Sequence, residues 1–118
     1  MILRVLAALL LLATPAWAQS GAPTNCSGTV SAASAAIVFP STGTGPARPT
    51  LYLSISNPGT AANLCVNPNA AAVIGGAGCI PIAPGSIIWW SAAQGMPPPA
   101  TMNIIADTAS TNYTCKYQ

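Results

Sequence analysis

The sequence predicts an all-β fold: a single small β-sandwich, immunoglobulin-like or jelly-roll-like, of roughly seven to eight short strands behind an N-terminal signal peptide. Three observations carry this expectation. Turn signals built from Pro, Gly and Asn punctuate the chain at the roughly 8–12-residue spacing of a sandwich. Leu51, Leu53 and Ile55 alternate with Tyr52, Ser54 and Ser56, which is the period-2 pattern of a strand with one buried face. No stretch combines helix caps with an apolar stripe at helical spacing.

Residues 1–18 have the three-part layout of a secretory signal. Arg4 supplies the positive charge, Val5 to Ala13 form the apolar run, and Pro15 breaks it. Ala16 and Ala18 place small side chains before a cleavage point between Ala18 and Gln19. The run is shorter than the roughly 20 apolar residues that cross a bilayer, so cleavage is expected, with no membrane span afterwards. Residues 19–25 then read as a flexible N-terminal segment and 26–118 as a disulfide-bonded domain of the size that supports one core.

The elements of that domain follow in order. Residues 26–30 form a short strand and 35–39 another, stopped by Pro40. Three prolines and two glycines make 40–49 a loop. The alternating strand 50–56 ends in the turn Asn57-Pro58-Gly59, residues 63–66 resume as a strand, and Asn67-Pro68-Asn69 turns again. Residues 71–74 are weakly extended and 75–78 are a Gly-rich loop, followed by a short strand at 79–82. Pro84-Gly85 suits a type II turn, Pro setting φ and Gly taking φ > 0. In the strand 86–91, Ile87 and Trp89 share one face while Ile88 and Trp90 share the other. Pro97 to Pro99 cannot be sheet interior and connect to strands at 102–106 and 113–117. In the last strand Tyr113, Cys115 and Tyr117 share a face, with Thr114 and Lys116 opposite.

All four cysteines, Cys26, Cys65, Cys79 and Cys115, follow the leader. An even number in an exported chain reads as two disulfides, for which three pairings exist. The favoured pairing is Cys65–Cys79, closing a short loop across neighbouring strands, with Cys26–Cys115 tying the start of the domain to its end. A zinc site is disfavoured: there is no histidine and no close cysteine pair.

Charge sets the function classes aside in turn. Beyond the leader the chain carries Arg48, Lys116 and Asp107, a net of +1. Nucleic-acid binding needs several cations to neutralise phosphates, so none is expected. With no His, no Glu and one Asp, paired carboxylates and Ser-His-Asp or Cys-His arrangements cannot be assembled. The chain is therefore expected to be no enzyme and to take no cofactor or metal. A surface of Ser, Thr and Asn with so little charge repels its own kind weakly, which favours association. Trp89 or Trp90 must face outward if the other enters the core, and an exposed indole stacks on a sugar or anchors a protein. Burial under Pro97–Pro99 is the competing reading, and Tyr52 is weighed in the same way. Asn25-Cys26-Ser27 and Asn112-Tyr113-Thr114 match the N-glycosylation pattern, but the compact leader is of bacterial type and both are expected unmodified.

Two resemblances stand beside these readings. Tyr113-Thr114-Cys115 is similar to the Tyr-x-Cys of immunoglobulin domains, but Trp89 lies far closer to Cys115 than to Cys26, against that pattern. Over roughly residues 48–110 the strings RPTLYLSISNPGTAANLCVN, GGAGCIPIAPGSIIWW and MNIIADTAST resemble small β-sandwich modules of phage and prophage virion proteins. Ile55-Ser56-Asn57, Ile80 to Gly85 and Ile104-Ile105-Ala106 occupy the places of that family's strand and turn motifs. The resemblance implies a sandwich of prophage ancestry and carries over no binding residue. The leader and the four cysteines depart from it, since virion proteins assembled in the cytoplasm need neither. The expectation is a secreted or periplasmic, bacterially exported, non-catalytic structural or surface-interaction module. Its partner is a protein or a cell surface, or a second copy in a homo-oligomer. The alternatives are a carbohydrate- or protein-binding module using an exposed Trp, and a thiol-active periplasmic protein.

Overall fold

Residues 22–40 and 48–118 are described by the computed structural model. The leader, its Ala18–Gln19 cleavage point, residues 19–21 and most of the 40–49 loop lie outside the described residues. The strands are β1 (Thr24–Asn25), β2 (Gly28–Val30), β3 (Ala35–Ala36), β4 (Tyr52–Ser56), β5 (Leu64–Asn67), β6 (Ile80–Ile82), β7 (Ile87–Ser91), β8 (Asn103–Ala106) and β9 (Thr111–Tyr117). One sheet runs β1-β9-β4-β7 with β2 also on β9, and the other runs β3-β8-β5-β6. Every pairing is antiparallel.

The pairs β2–β9, β3–β8, β4–β7 and β5–β6 nest one inside the next, as in a long hairpin rolled into two layers. That is the jelly roll. Of the two sandwich arrangements the sequence left open, the immunoglobulin-like one is set aside by this topology. The described residues hold nine strands rather than seven or eight because the expected strand at 26–30 is broken and starts earlier. Thr24 and Asn25, expected in a flexible segment, already pair with Tyr117 and Lys116. Cys26 donates its N–H to Cys115 O at 2.9 Å, and at the break the Ser27 hydroxyl takes the Cys115 N–H at 2.9 Å. A side chain thus fills in for the missing ladder bond.

The core is made by alternation. Leu53 and Ile55 of β4, Tyr113, Cys115 and Tyr117 of β9, Leu64 and Val66 of β5, Ile82 of β6 and Ile104 of β8 interdigitate between the layers. Ile37, Phe39 and Met102 close its end. Phe39 meets Tyr117 edge to face at 5.1 Å, and the Tyr117 hydroxyl donates to Pro40 O. Past β3 the 35–39 segment keeps its alternation, with Val38 exposed, but gains only the bond from Ile37 N to Met102 O at 2.8 Å. Its ladder stops where Pro40 on one side and Pro97–Pro99 on the other offer no N–H.

Cys26 is bonded to Cys115 and Cys65 to Cys79. The two bridges do different work. Cys26 and Cys115 lie in the core, 5% and 0% exposed. Cys65 and Asn67 instead point to the outer face of the second sheet, yet both are buried. The 68–79 segment folds over them, so the expected extended run at 71–74 is a flap rather than a strand. Asn67 Oδ1 accepts from Asn69 N and Ala70 N at 3.0 and 3.1 Å. Ala72 N donates to Ser34 Oγ at 2.8 Å and Asn103 Nδ2 to Ala70 O at 2.8 Å. Cys79 returns at the flap's end to staple it down.

Asn57 performs the equivalent task at the end of β4. It is 1% exposed, donates from Nδ2 to Ala62 O at 2.7 Å and Ile82 O at 3.0 Å, and accepts from Gly59 N at 3.1 Å. Gly85, at φ 76°, forms the expected turn, closed by Ser86 N to Ala83 O at 3.0 Å. Because Asn57 joins the exit of one sheet to the backbone of the other, Asn57→Ala leaves buried carbonyls unpaired. It is expected to cost about 2–3 kcal/mol, read as a lower urea midpoint with an unchanged m-value.

Candidate interaction surface

Register decides which side chains of the first sheet meet solvent. Ser54 stands opposite Trp89 on β7 and Lys116 on β9, and Lys116 stands opposite Asn25 on β1. Cross-strand neighbours share a face, so Trp89, Ser54, Lys116 and Asn25 form one row across the outer side. The next rows hold Ile87, Ser56 and Thr114, and Ser91 with Tyr52. Ser54 is only 8% exposed, shaded between the long side chains of Trp89 and Lys116. Apart from these two and from Ile87 and Tyr52, the face is built of short Ser, Thr and Asn side chains.

The expected split of the tryptophans is present. Trp89 is 41% exposed on the outer face, while Trp90, opposite Leu53, packs partly buried against the core with Ile88. Trp90 is therefore a packing residue. Tyr52 is half-buried on the same face as Trp89. Two members of the surface were not among the sequence candidates, Ile87, 57% exposed, and Lys116. Both were findable, because period 2 puts Ile87 with Trp89 and Lys116 opposite Cys115.

A separate feature at one end of the sandwich is an open groove of about 450 Å³ between residues 58–62 and 108–112. Thr60, Thr108, Ser110, Thr111 and Asn112 line it with hydroxyl and amide groups, and no aromatic ring does. Ser110 holds a left-handed φ of 57° there. Nothing in the spacing of these residues distinguishes them in sequence from ordinary turns.

The groups with chemical potential are engaged elsewhere. Asp107 accepts from Asn63 N at 3.1 Å and Asn63 Nδ2 at 2.9 Å, and its own N–H returns to Asn63 O at 3.1 Å. This reciprocal clamp joins the start of β5 to the end of β8. The Tyr113 phenol lies over Gly28, where a Cβ would stand 2.8 Å from its oxygen, and burial pushes its pKa up. All four cysteines are in disulfides, and no cluster of three metal-ligating side chains occurs among the described residues.

No protein-family model, curated protein or solved structure matches the chain. The arrangement of its own residues therefore carries the functional argument. The indoles provide a direct check of their assigned roles. Trp90→Ala is expected to cost about 3 kcal/mol, as a cavity beside the core. Trp89→Ala is expected to cost about 1 kcal/mol or less, both measured by urea unfolding.

Proposed function

We propose that the chain is a non-catalytic, exported structural or surface-interaction module whose contact surface is the outer side of the first sheet. The observation that carries this reading is the row from Trp89 through Ser54 to Lys116, an exposed indole flanked by exposed Ile87 and half-buried Tyr52 on a face otherwise of short polar side chains. Trp is among the residue types that dominate the binding energy of protein contact surfaces. Further facts support it. The one carboxylate beyond the leader is spent on a backbone clamp. The cysteines are consumed in disulfides, one of them inside the core, which disfavours a thiol-active role. Two disulfides also suit an oxidising compartment outside the cytoplasm, where the sequence of residues 1–18 would direct the chain. Among the described residues no helix is long and apolar enough to cross a membrane.

Jelly rolls include capsid and lectin domains, so the architecture suits both a structural part and a glycan-contacting one without assigning either. The prophage reading is consistent with the first. The carbohydrate-binding alternative is favoured by Trp89 beside Ser54 and Tyr52, since an indole face stacks on a sugar ring.

Cell fractionation tests the leading reading. The processed chain is expected to travel with the cell surface or a particle, and Trp89→Ala with Tyr52→Ala is expected to release it without changing its circular dichroism. A chain free in solution in both forms, or one that turns over a substrate, contradicts the proposal. Quenching of indole fluorescence by soluble glycans, lost in Trp89→Ala, selects the carbohydrate alternative.

A further inference from the structure

A sheet edge is a row of unpaired backbone donors and acceptors, and proteins normally blunt it with prolines, charges or very short strands. Three of the edges here are blunted in this way. β6 is three residues with Pro81 at its centre, while β1, β2 and β3 have two or three residues each. β7 differs from all of them. It is five residues long, reads Ile-Ile-Trp-Trp-Ser, and contains neither charge nor proline.

The register shows which of its backbone groups are open. Asn57 N bonds Ser86 O and Ala92 N bonds Leu51 O. Antiparallel bonding alternates, so Ile88 and Trp90 direct their N–H and C=O to β4, while Ile87, Trp89 and Ser91 direct theirs outward. Ser91 O is already taken by Met96 N at 3.0 Å, as the chain doubles back through the 3₁₀ turn Ala92–Gln94. That return cannot continue as a ladder, because Pro97 to Pro99 have no N–H to give. Among the described residues no strand pairs with this side of β7, and Ile87 and Trp89 are the two exposed apolar side chains of the strand.

We propose that β7 pairs edge to edge with β7 of a second copy, antiparallel and centred on Ile88, so that the two first sheets become one continuous sheet. This rests on reading the chain as an interaction module and names its partner. A second copy is the occupant that fits for three reasons. With Ser91 occupied, the open residues are Ile87 and Trp89, and the two-fold register that pairs both sets Ile87 of each copy against Trp89 of the other. Cross-strand neighbours share a face, so the same register lays each exposed Ile87 in lateral contact with an exposed Trp89 on the outer face. Neither β7 nor the adjoining β4 carries a charge, and Lys116, the charged residue of this sheet, is two strands away on β9.

Sedimentation velocity on the purified, oxidised chain tests this. The wild-type mass is expected to rise from one copy to two across the micromolar range. Ile87→Lys and Trp89→Lys are each expected to weaken association by about tenfold or more at unchanged circular dichroism. The second readout is backbone amide exchange. Protection of the Ile87 and Trp89 amides is expected to appear with concentration, while Ile88 and Trp90, bonded to β4, stay protected throughout. A chain that remains a single copy, or a dimer that survives Ile87→Lys, or Ile87 and Trp89 amides indifferent to concentration, overturns the proposal. Each of these leaves the surface-retention result for the module reading separately legible.

Discussion

The pairing of residues 24–30 with β9 closes the longest loop in the domain, and the remaining strands are arranged around it. β9 lies between that first segment and β4, and β4 in turn carries β7. Without β9 in place, β4 loses one whole ladder and the first sheet separates into fragments. Bringing together segments 89 residues apart has an entropic cost that grows with the logarithm of loop length. The Cys26–Cys115 bond meets it covalently, at the pair of residues where the strand is broken. On the chain-entropy account such a cross-link contributes about 4–5 kcal/mol, comparable to the net stability of a small domain. Its burial in the core makes it part of the packing as well as a tether.

The second sheet is organised differently, and the difference explains where the surface lies. Its outer face is roofed by the 68–79 flap, held by Asn67, Asn103, Ser34 and the Cys65–Cys79 bond. The first sheet has no such roof among the described residues. Its outer face is left to Ser, Thr and Asn with Trp89, Tyr52, Ile87 and Lys116 among them. With so few charges to solvate either face, backbone-satisfying asparagines replace ion pairs as the polar fasteners. Asn57 and Asn67 each hold a strand end by side-chain bonds to main-chain groups, Asn63 holds one through the Asp107 carboxylate, and no buried side-chain polar atom among the described residues is without a partner.

Much of this could be read from sequence wherever alternation and turn chemistry acted alone. The β4 period, the shared face of Tyr113, Cys115 and Tyr117, and the opposed tryptophans follow from a two-residue repeat, and the Gly85 turn follows from its Pro-Gly pair. The cysteine pairing was preferred on loop length and the structure has the same pairs, although spacing could not separate three possibilities. What could not be read were relations between distant segments. Whether 26–30 would lie on the last strand or beside its own neighbour is set by register, which no local pattern encodes. Residues 71–74 have strand-like composition, yet they lie over Cys65 because the flap's hydrogen bonds go to Ser34 and Asn103. The groove at 58–62 and 108–112 is made by two turns meeting, and each turn alone looks ordinary.

The claim that the fold depends on the first-to-last strand closure is tested most directly by native-state hydrogen exchange in two disulfide-free pairs. In Cys26→Ala/Cys115→Ala, protection is expected to fall together across β4, β5, β8 and β9, since the whole roll opens with its closing pair. In Cys65→Ala/Cys79→Ala, the loss is expected to centre on residues 68–79. Exchange that rises only in β1 and β2 when the Cys26–Cys115 bond is removed, with β4 and β9 as protected as before, would contradict the account.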